Sequence, residues 1–414
     1  MSLNDVRDMD YHDALAHKRA EFDLPADIIY LDGNSLGCLP HAARQRAQEV
    51  VAIQWGRDLI KSWNSHGWID LPVTVGEKIA QLIGAAPGQT ICCDSISVNL
   101  FKVLSAALMM QPDRSVVLSQ RDNFPTDLYI AQGLEQLLGA KRCQLLMVDP
   151  EDIAANLNES VAVLMLTHVN FRSGRIHDMQ TLTELAHAKG ILVIWDLAHS
   201  AGVLPLELDR CDADFAVGCT YKYLNGGPGA PAFIYAAKRH LEKINQPLSG
   251  WMGHKAPFEF SPDYTGADGI EKFLCGTPPV ISMSVLDAAL DVFNGVSMQQ
   301  LREKSQALSE LFIRLLTQQP CLSVLKSGFP ADRSERGAQL AYHHPHAFEI
   351  CQALIAQGVI ADFRAPDILR IGFSPLYLRF EDIWHSVEAL AAIMTSEAWR
   401  KPEFSRVGSA GKVT

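Results

Sequence analysis

ILVIWDLAHSAGVLPLELDRCDADFAVGCTYKYLNGGPGAPAFIY, residues 191–235, holds three apolar runs, ILVIW, DFAVGC and APAFIY, each bounded by turn residues. Short apolar runs that do not alternate with polar residues read as strands buried on both faces, as in a mostly parallel sheet. Upstream, SVVLS, CQLLMV and VAVLMLT repeat the pattern, with helix-length stretches between them. From about residue 75 to residue 240 the expected fold is therefore α/β, a mostly parallel central sheet with helices on both faces.

In such sheets ligands sit beyond the carboxyl ends of the strands, so the residues just after each run carry the information. After ILVIW come Asp196 and then His199; after DFAVGC come Tyr221, Lys222 and a glycine turn. Asp196 and Lys222 end successive strands, 222 − 196 = 26 residues apart. A lysine can condense with an aldehyde, and an aspartate can keep a pyridine nitrogen protonated; pyridoxal 5′-phosphate needs both. Singly, Asp196 could cap a turn and Lys222 could be a solvated loop residue. The pair points to the cofactor. Its phosphate calls for backbone amides and hydroxyls at a helix N-terminus, and DSISVNLFKVLSAALMM offers Ile96 and Ser97 ahead of a helical period that starts near Asn99. A serine there also serves as a plain N-cap.

The chain has 414 residues, 48% hydrophobic and 20% charged, enough for two or three domains with a large core. Its net charge, 36 − 47 = −11, disfavours general attraction to nucleic acid or an anionic membrane and favours a small-molecule partner. No apolar run approaches the ~20 residues of a membrane helix, and MSLNDVRDMDYHDALAHKRA lacks an apolar signal core, so a cytoplasmic protein is expected. Nine scattered cysteines without a CxxC pair suit a reducing compartment, with Cys92 and Cys93 as buried packing. His343, His344 and His346 in YHHPHAFE are interrupted by proline and suggest no metal site, and GGPG lacks the GxGxxG spacing of a dinucleotide site.

MQQLREKSQALSELFIRLLT carries Leu301, Leu308, Leu311, Phe312, Leu315 and Leu316 on one helical face. The strand candidates after it suggest a smaller C-terminal α/β domain. The expected division is residues 1–45 packing with the small domain, 46–285 as the large domain and 286–414 as the small one. Residues 245–285, dense in Gly, Pro and aromatics, read as a long functional or interfacial loop.

LDGNSLG, NFPTD, DLAHSAG, YKYLNGGPG and RIGFSPLY together resemble the kynureninase family, in the class V branch of the fold-type-I pyridoxal-phosphate transferases, over about residues 28–390. The resemblance implies hydrolysis of L-kynurenine or 3-hydroxy-L-kynurenine to anthranilate or its 3-hydroxy form and L-alanine, in tryptophan breakdown. Lys222 would be the Schiff-base lysine and the proton-moving base, with Tyr221 a second catalytic group. The cofactor would be held by Ile96, Ser97, Phe124, Pro125, Thr126, Asp127, Asp196, His199, Tyr221 and Lys222. Trp251 and Thr277 would reach the phosphate of a neighbouring subunit, making the long loop a homodimer seam; many relatives have Asn where Thr277 stands. Arg370 would clamp the substrate's α-carboxylate, and Asn34 and Ser35 would line the pocket mouth. The plainer alternatives are a core side chain for Phe124, an exposed strand ion pair for Arg370 and a glycine turn for Asn34 and Ser35. A cysteine desulfurase or selenocysteine lyase would share the fold and Lys222. It needs a mobile reactive cysteine, and only Cys321 and Cys351, both expected to be buried, lie in the C-terminal region. A regulatory protein that binds cofactor without turnover is disfavoured by retention of both Asp196 and Lys222.

Overall fold

The computed structural model describes residues 1–405, which form two compact units. The larger comprises residues 43–170 and 177–290; the smaller comprises 1–42, 171–176 and 291 onward.

The larger unit is built on a seven-stranded sheet: β1 (Thr90–Cys93), β2 (Val116–Gln120), β3 (Gln144–Val148), β4 (Val161–Thr167), β5 (Leu192–Asp196), β6 (Phe215–Gly218) and β7 (Ala232–Ala236), in spatial order β1-β7-β6-β5-β4-β2-β3. From β3 to β6 all neighbours are parallel, while β7 pairs antiparallel with β6 and β1. The six apolar runs are six of these strands. Every residue of β4 is buried, and because successive side chains point to opposite faces, both faces of the sheet are covered there. The seventh strand, β1, contains Cys92 and Cys93, both buried.

At the opposite end of β5 and β6 from Asp196, the buried carboxylate of Asp214 accepts from His187 Nε2 (2.8 Å), His240 Nε2 (2.7 Å), Arg239 (2.7 Å) and the Val193 amide (2.8 Å). Burial alone would push this acid up, but the bonds from His187, His240 and Val193 outweigh it and hold it well below the carboxylate range. His187 is raised, first by its bond to Asp214. Asp214's contribution is present above the ordinary carboxylate value and is lost as pH falls; that of His187 is present below its ordinary value and is lost as pH rises. The cluster should therefore stabilise most between about pH 4 and 6.5. Asp214→Ala is expected to cost roughly 3 kcal/mol in urea unfolding at pH 6. A change below about 0.5 kcal/mol would refute the account.

The smaller unit holds a four-stranded antiparallel sheet in the order Asp362–Arg364, Ile368–Gly372, Gln339–His343, Lys326–Ser327. The helix Met298–Thr317 starts at a Ser297/Gln300 capping box and buries all six apolar residues of the expected face. Near the N-terminus, Ile29–Tyr30 runs parallel to Val359–Ile360, which carries LDGNSLG to the start of strand Asp362–Arg364.

Two expectations need correction. Helix Val280–Ala289 occupies the end of the expected 245–285 loop, its Pro279 excluded from the helix interior. Cys321 is half-buried, its Sγ 3.8 Å from the Ala391 carbonyl, although Cys351 is fully buried.

Candidate active site

Parallel pairing brings the carboxyl ends of β2, β4, β5 and β6 to one edge of the sheet. Thr167 lies opposite Asp196, and Asp196 opposite Val217, so Asp196 closes its strand level with its neighbours. After β6 the chain turns through TYKYLNGG. The Asn225 amide donates to the Lys222 carbonyl (2.9 Å) and the Gly226 amide to the Thr220 carbonyl (2.9 Å). Asn225 is left-handed, φ 58°, a conformation this side chain tolerates. Gly202, the last residue of DLAHSAG, also has positive φ, and a Cβ there would lie 3.1 Å from the Tyr223 backbone. The two motifs thus pack directly on each other.

The result is a buried polar cluster. Lys222 Nζ lies 2.9 Å from His199 Nε2, 5.8 Å above the centroid of the Phe124 ring and 5.9 Å above that of Tyr221. Lys222 is only 9% exposed and His199 only 5%. Asp196 Oδ1 accepts from the Ala198 amide at 2.7 Å, which fixes its carboxylate. Asp127 is hydrogen-bonded to Asp196, and burial pushes both acids up. Asp127 rises well above its ordinary value because Asp196's charge and hydrogen bond add to burial. Two touching carboxyls in a dry site keep one proton between them.

Phe124, Pro125, Thr126 and Asp127 form the start of helix Pro125–Leu138, with Pro125 at its first position, where a missing amide costs nothing. Helix Ile96–Met110 begins three residues before the expected Asn99 because Ser95 caps it, its Oγ accepting from the Val98 amide at 3.4 Å. Ile96 and Ser97 are therefore its first two residues, whose amides have no acceptor within the helix.

These residues fit the cofactor expected from the sequence. Asp127 Oδ2 is fully buried without a hydrogen-bond partner among the described residues. A protonated ring nitrogen would satisfy such an oxygen. An aromatic ring under the lysine and amides at a helix start are what a flat heterocycle and a phosphate require.

Trp251 and Thr277 lie in the same larger unit, both exposed. Their loop is pinned at Gly250, where a Cβ would collide with the Cys275 backbone. Trp251 stacks on Phe260, itself 76% exposed, at 6.5 Å.

Asn34, Ser35 and Arg370 are together in the smaller unit. Arg370 is 1% exposed, donating to the Phe171 carbonyl (2.6 Å) and Ser35 Oγ (2.9 Å) and pairing with Asp362. With its amide oxygen turned toward the guanidinium, Asn34 accepts from Arg370 Nε at 2.9 Å. Gly372 makes room for that amide, since a Cβ there would collide with Asn34. The sequence reading passed over Asp362 and Arg364. A signal was present: APD between two strand-like runs reads as a hairpin turn, and the hairpin register sets Asp362 opposite Arg370.

The fold is shared with a cysteine desulfurase from Thermococcus onnurineus (TM-score 0.77, 17% identity, 92% of this chain and 98% of that one) and one from Escherichia coli (TM-score 0.74, 20% identity, 92% and 98%). Sheet, lysine and carboxyl pair define a fold-type-I pyridoxal-phosphate enzyme. The DegT/DnrJ/EryC1/StrS aminotransferase family matches residues 75–205 and the kynureninase C-terminal domain matches residues 301–390. A kynureninase from Burkholderia pseudomallei is 51% identical over 401 residues, 96% of either chain, and one from Pseudomonas fluorescens 47% identical over 405 residues, 97% of either. The chain belongs to the kynureninase family.

Proposed function

We propose that the cluster around Lys222 carries out the hydrolysis of L-kynurenine to anthranilate and L-alanine. The enzyme is a hydrolase acting on a carbon–carbon bond, uses pyridoxal 5′-phosphate and takes a small-molecule substrate. When bound, the cofactor supplies an aldehyde that amines condense with and a ring that accepts electrons from the breaking bond. The observation that carries the residue assignment is the buried Lys222–His199 contact above the Phe124 ring.

Lys222 Nζ would hold the cofactor until the substrate's amine replaces it, and would then be the base for the α-carbon's proton. His199, 2.9 Å away, orients Nζ and can share its proton. The Asp196–Asp127 pair would hold the cofactor's ring nitrogen protonated, and Phe124 would support the ring face. The first amides of helix Ile96–Met110, the Ser97 hydroxyl and the Tyr221 hydroxyl would receive the phosphate, with Pro125 and Thr126 shaping the loop beside it. Arg370 binds the substrate's α-carboxylate, with Asn34 and Ser35 beside it. Exposure of Trp251 and Thr277 supports a homodimer in which they reach the partner's phosphate. The proposed setting is cytoplasmic; among the described residues, no single helix is long and apolar enough to cross a membrane.

The test is to mix protein, pyridoxal phosphate and L-kynurenine and follow anthranilate fluorescence, with sulfide release from L-cysteine as the competing assay. Sulfide without anthranilate would transfer the chain to desulfurase chemistry. Burial pushes the Cys351 thiol far up, which disfavours that reaction. Tyr221 is assigned proton transfer during hydration and cleavage. Tyr221→Phe should therefore retain cofactor while losing roughly 100-fold in kcat. Full activity in that variant would remove the role.

A further inference from the structure

The smaller unit contains a charge network larger than the Arg370 site requires. Asp362 is fully buried, and its Oδ2 meets three donors: Ser35 Oγ at 2.9 Å, Arg364 Nη2 at 2.8 Å and Arg370 Nη2. Ser35 Oγ also accepts from Arg364 (3.2 Å) and Arg370 (2.9 Å), closing the network. Strand register enforces the arrangement, because Asp362 lies directly opposite Arg370 and Arg364 follows two residues later on the same face.

Two guanidiniums sharing one oxygen repel each other. Burial and then Arg364's charge push Arg370 down, and Asp362 is the main opposing charge. The other acid nearby, Asp32, is pushed up to about 7 by burial and by Asp362's charge, so near neutral pH it is a weaker counter-ion. Without Asp362 the Arg370 fork would keep the Phe171 carbonyl, Asn34 and Ser35, but nothing charged would fix its plane against Arg364.

We propose that Asp362 is a positioning residue for the substrate. It holds Arg370 in the one orientation that reads an α-carboxylate, and it balances the second cation so that the site accepts a single carboxylate. This rests on the reading that Arg370 binds that carboxylate.

The test compares holoenzyme with Asp362→Asn and Arg370→Gln, measuring kcat and KM for L-kynurenine and inhibition by its decarboxylated analogue, which keeps the amine and aryl ketone. Asp362→Asn is expected to raise KM roughly 10- to 100-fold with kcat within a few-fold, while inhibition by the analogue stays unchanged. A merely structural loss would weaken both ligands alike. If Arg370→Gln leaves the carboxylated ligand's advantage intact, the reading of Arg370 fails. If Arg370→Gln abolishes the advantage and Asp362→Asn does not, the positioning proposal alone fails. Should Asp362→Asn not fold, Asp362→Glu keeps the charge and moves it by one methylene. It is expected to lose about 10-fold of the advantage, and an unchanged advantage overturns the proposal.

Discussion

Lys222→Ala is expected to lower anthranilate release from L-kynurenine by at least about 10⁴-fold, because one side chain has two duties that nothing beside it can assume. In the proposed mechanism the amine that would hold the cofactor is also the base at the α-carbon. His199 is close enough to share a proton with Nζ, yet an imidazole cannot form the covalent link. Phe124 presents only a ring to the lysine, and the Tyr221 hydroxyl, assigned to proton transfer in the later steps, cannot form the covalent link either. The cofactor should still bind, since the amides of helix Ile96–Met110 and the Asp196–Asp127 pair are untouched. Fluorescence would give the rate, and absorbance after gel filtration would give cofactor retention. A small primary amine added to the variant should restore part of the proton transfer. A variant within about 10-fold of the parent rate would remove Lys222 from both duties.

That Lys222 could be singled out from the sequence has a physical reason. Parallel strands buried on both faces are unbroken apolar runs, so six of the seven strands of the larger sheet were legible, and a residue just after such a run lands at the ligand edge. Lys222, Asp196 and His199 meet this condition, Phe124 and Asp127 are implied by the family resemblance alone, and the structure brings all five into one cluster. The seventh strand, Thr90–Cys93, escaped because TICC is short and ends at the sheet's antiparallel edge. Helix Ile96–Met110 was placed three residues late because Ser95 is a cap and not part of the hydrophobic period. The Asp362 network was harder to see. It depends on cross-strand register and on a carbonyl from Phe171, nearly two hundred positions from Arg370, and no local pattern encodes that pairing. Gly202 and Gly372 each leave space for a neighbour distant in sequence, the Tyr223 backbone and the Asn34 amide, which no local pattern announces.

The two buried acids should respond very differently to the same substitution. Burial raises both, but Asp127 is driven well above its ordinary value, so it carries the pair's proton and Asp196 the charge. Lys222's charge and the Ala198 amide, 2.7 Å from Oδ1, both favour the ionised form of Asp196. An asparagine at 127 copies a neutral carboxyl in shape and charge. At 196 it removes the charge that the proposed pair would use to keep a ring nitrogen protonated, and it puts an NH₂ or a neutral oxygen where the Ala198 amide donates. Asp127→Asn is therefore expected to stay within about 10-fold of the parent in kcat, while Asp196→Asn falls roughly 10³-fold and holds cofactor more weakly. Measuring both variants for kcat and for cofactor retained on dialysis decides the assignment. Equal losses would mean that the proton is shared symmetrically. A reversed order would place the charge on Asp127 and make Asp196 its hydrogen-bond partner.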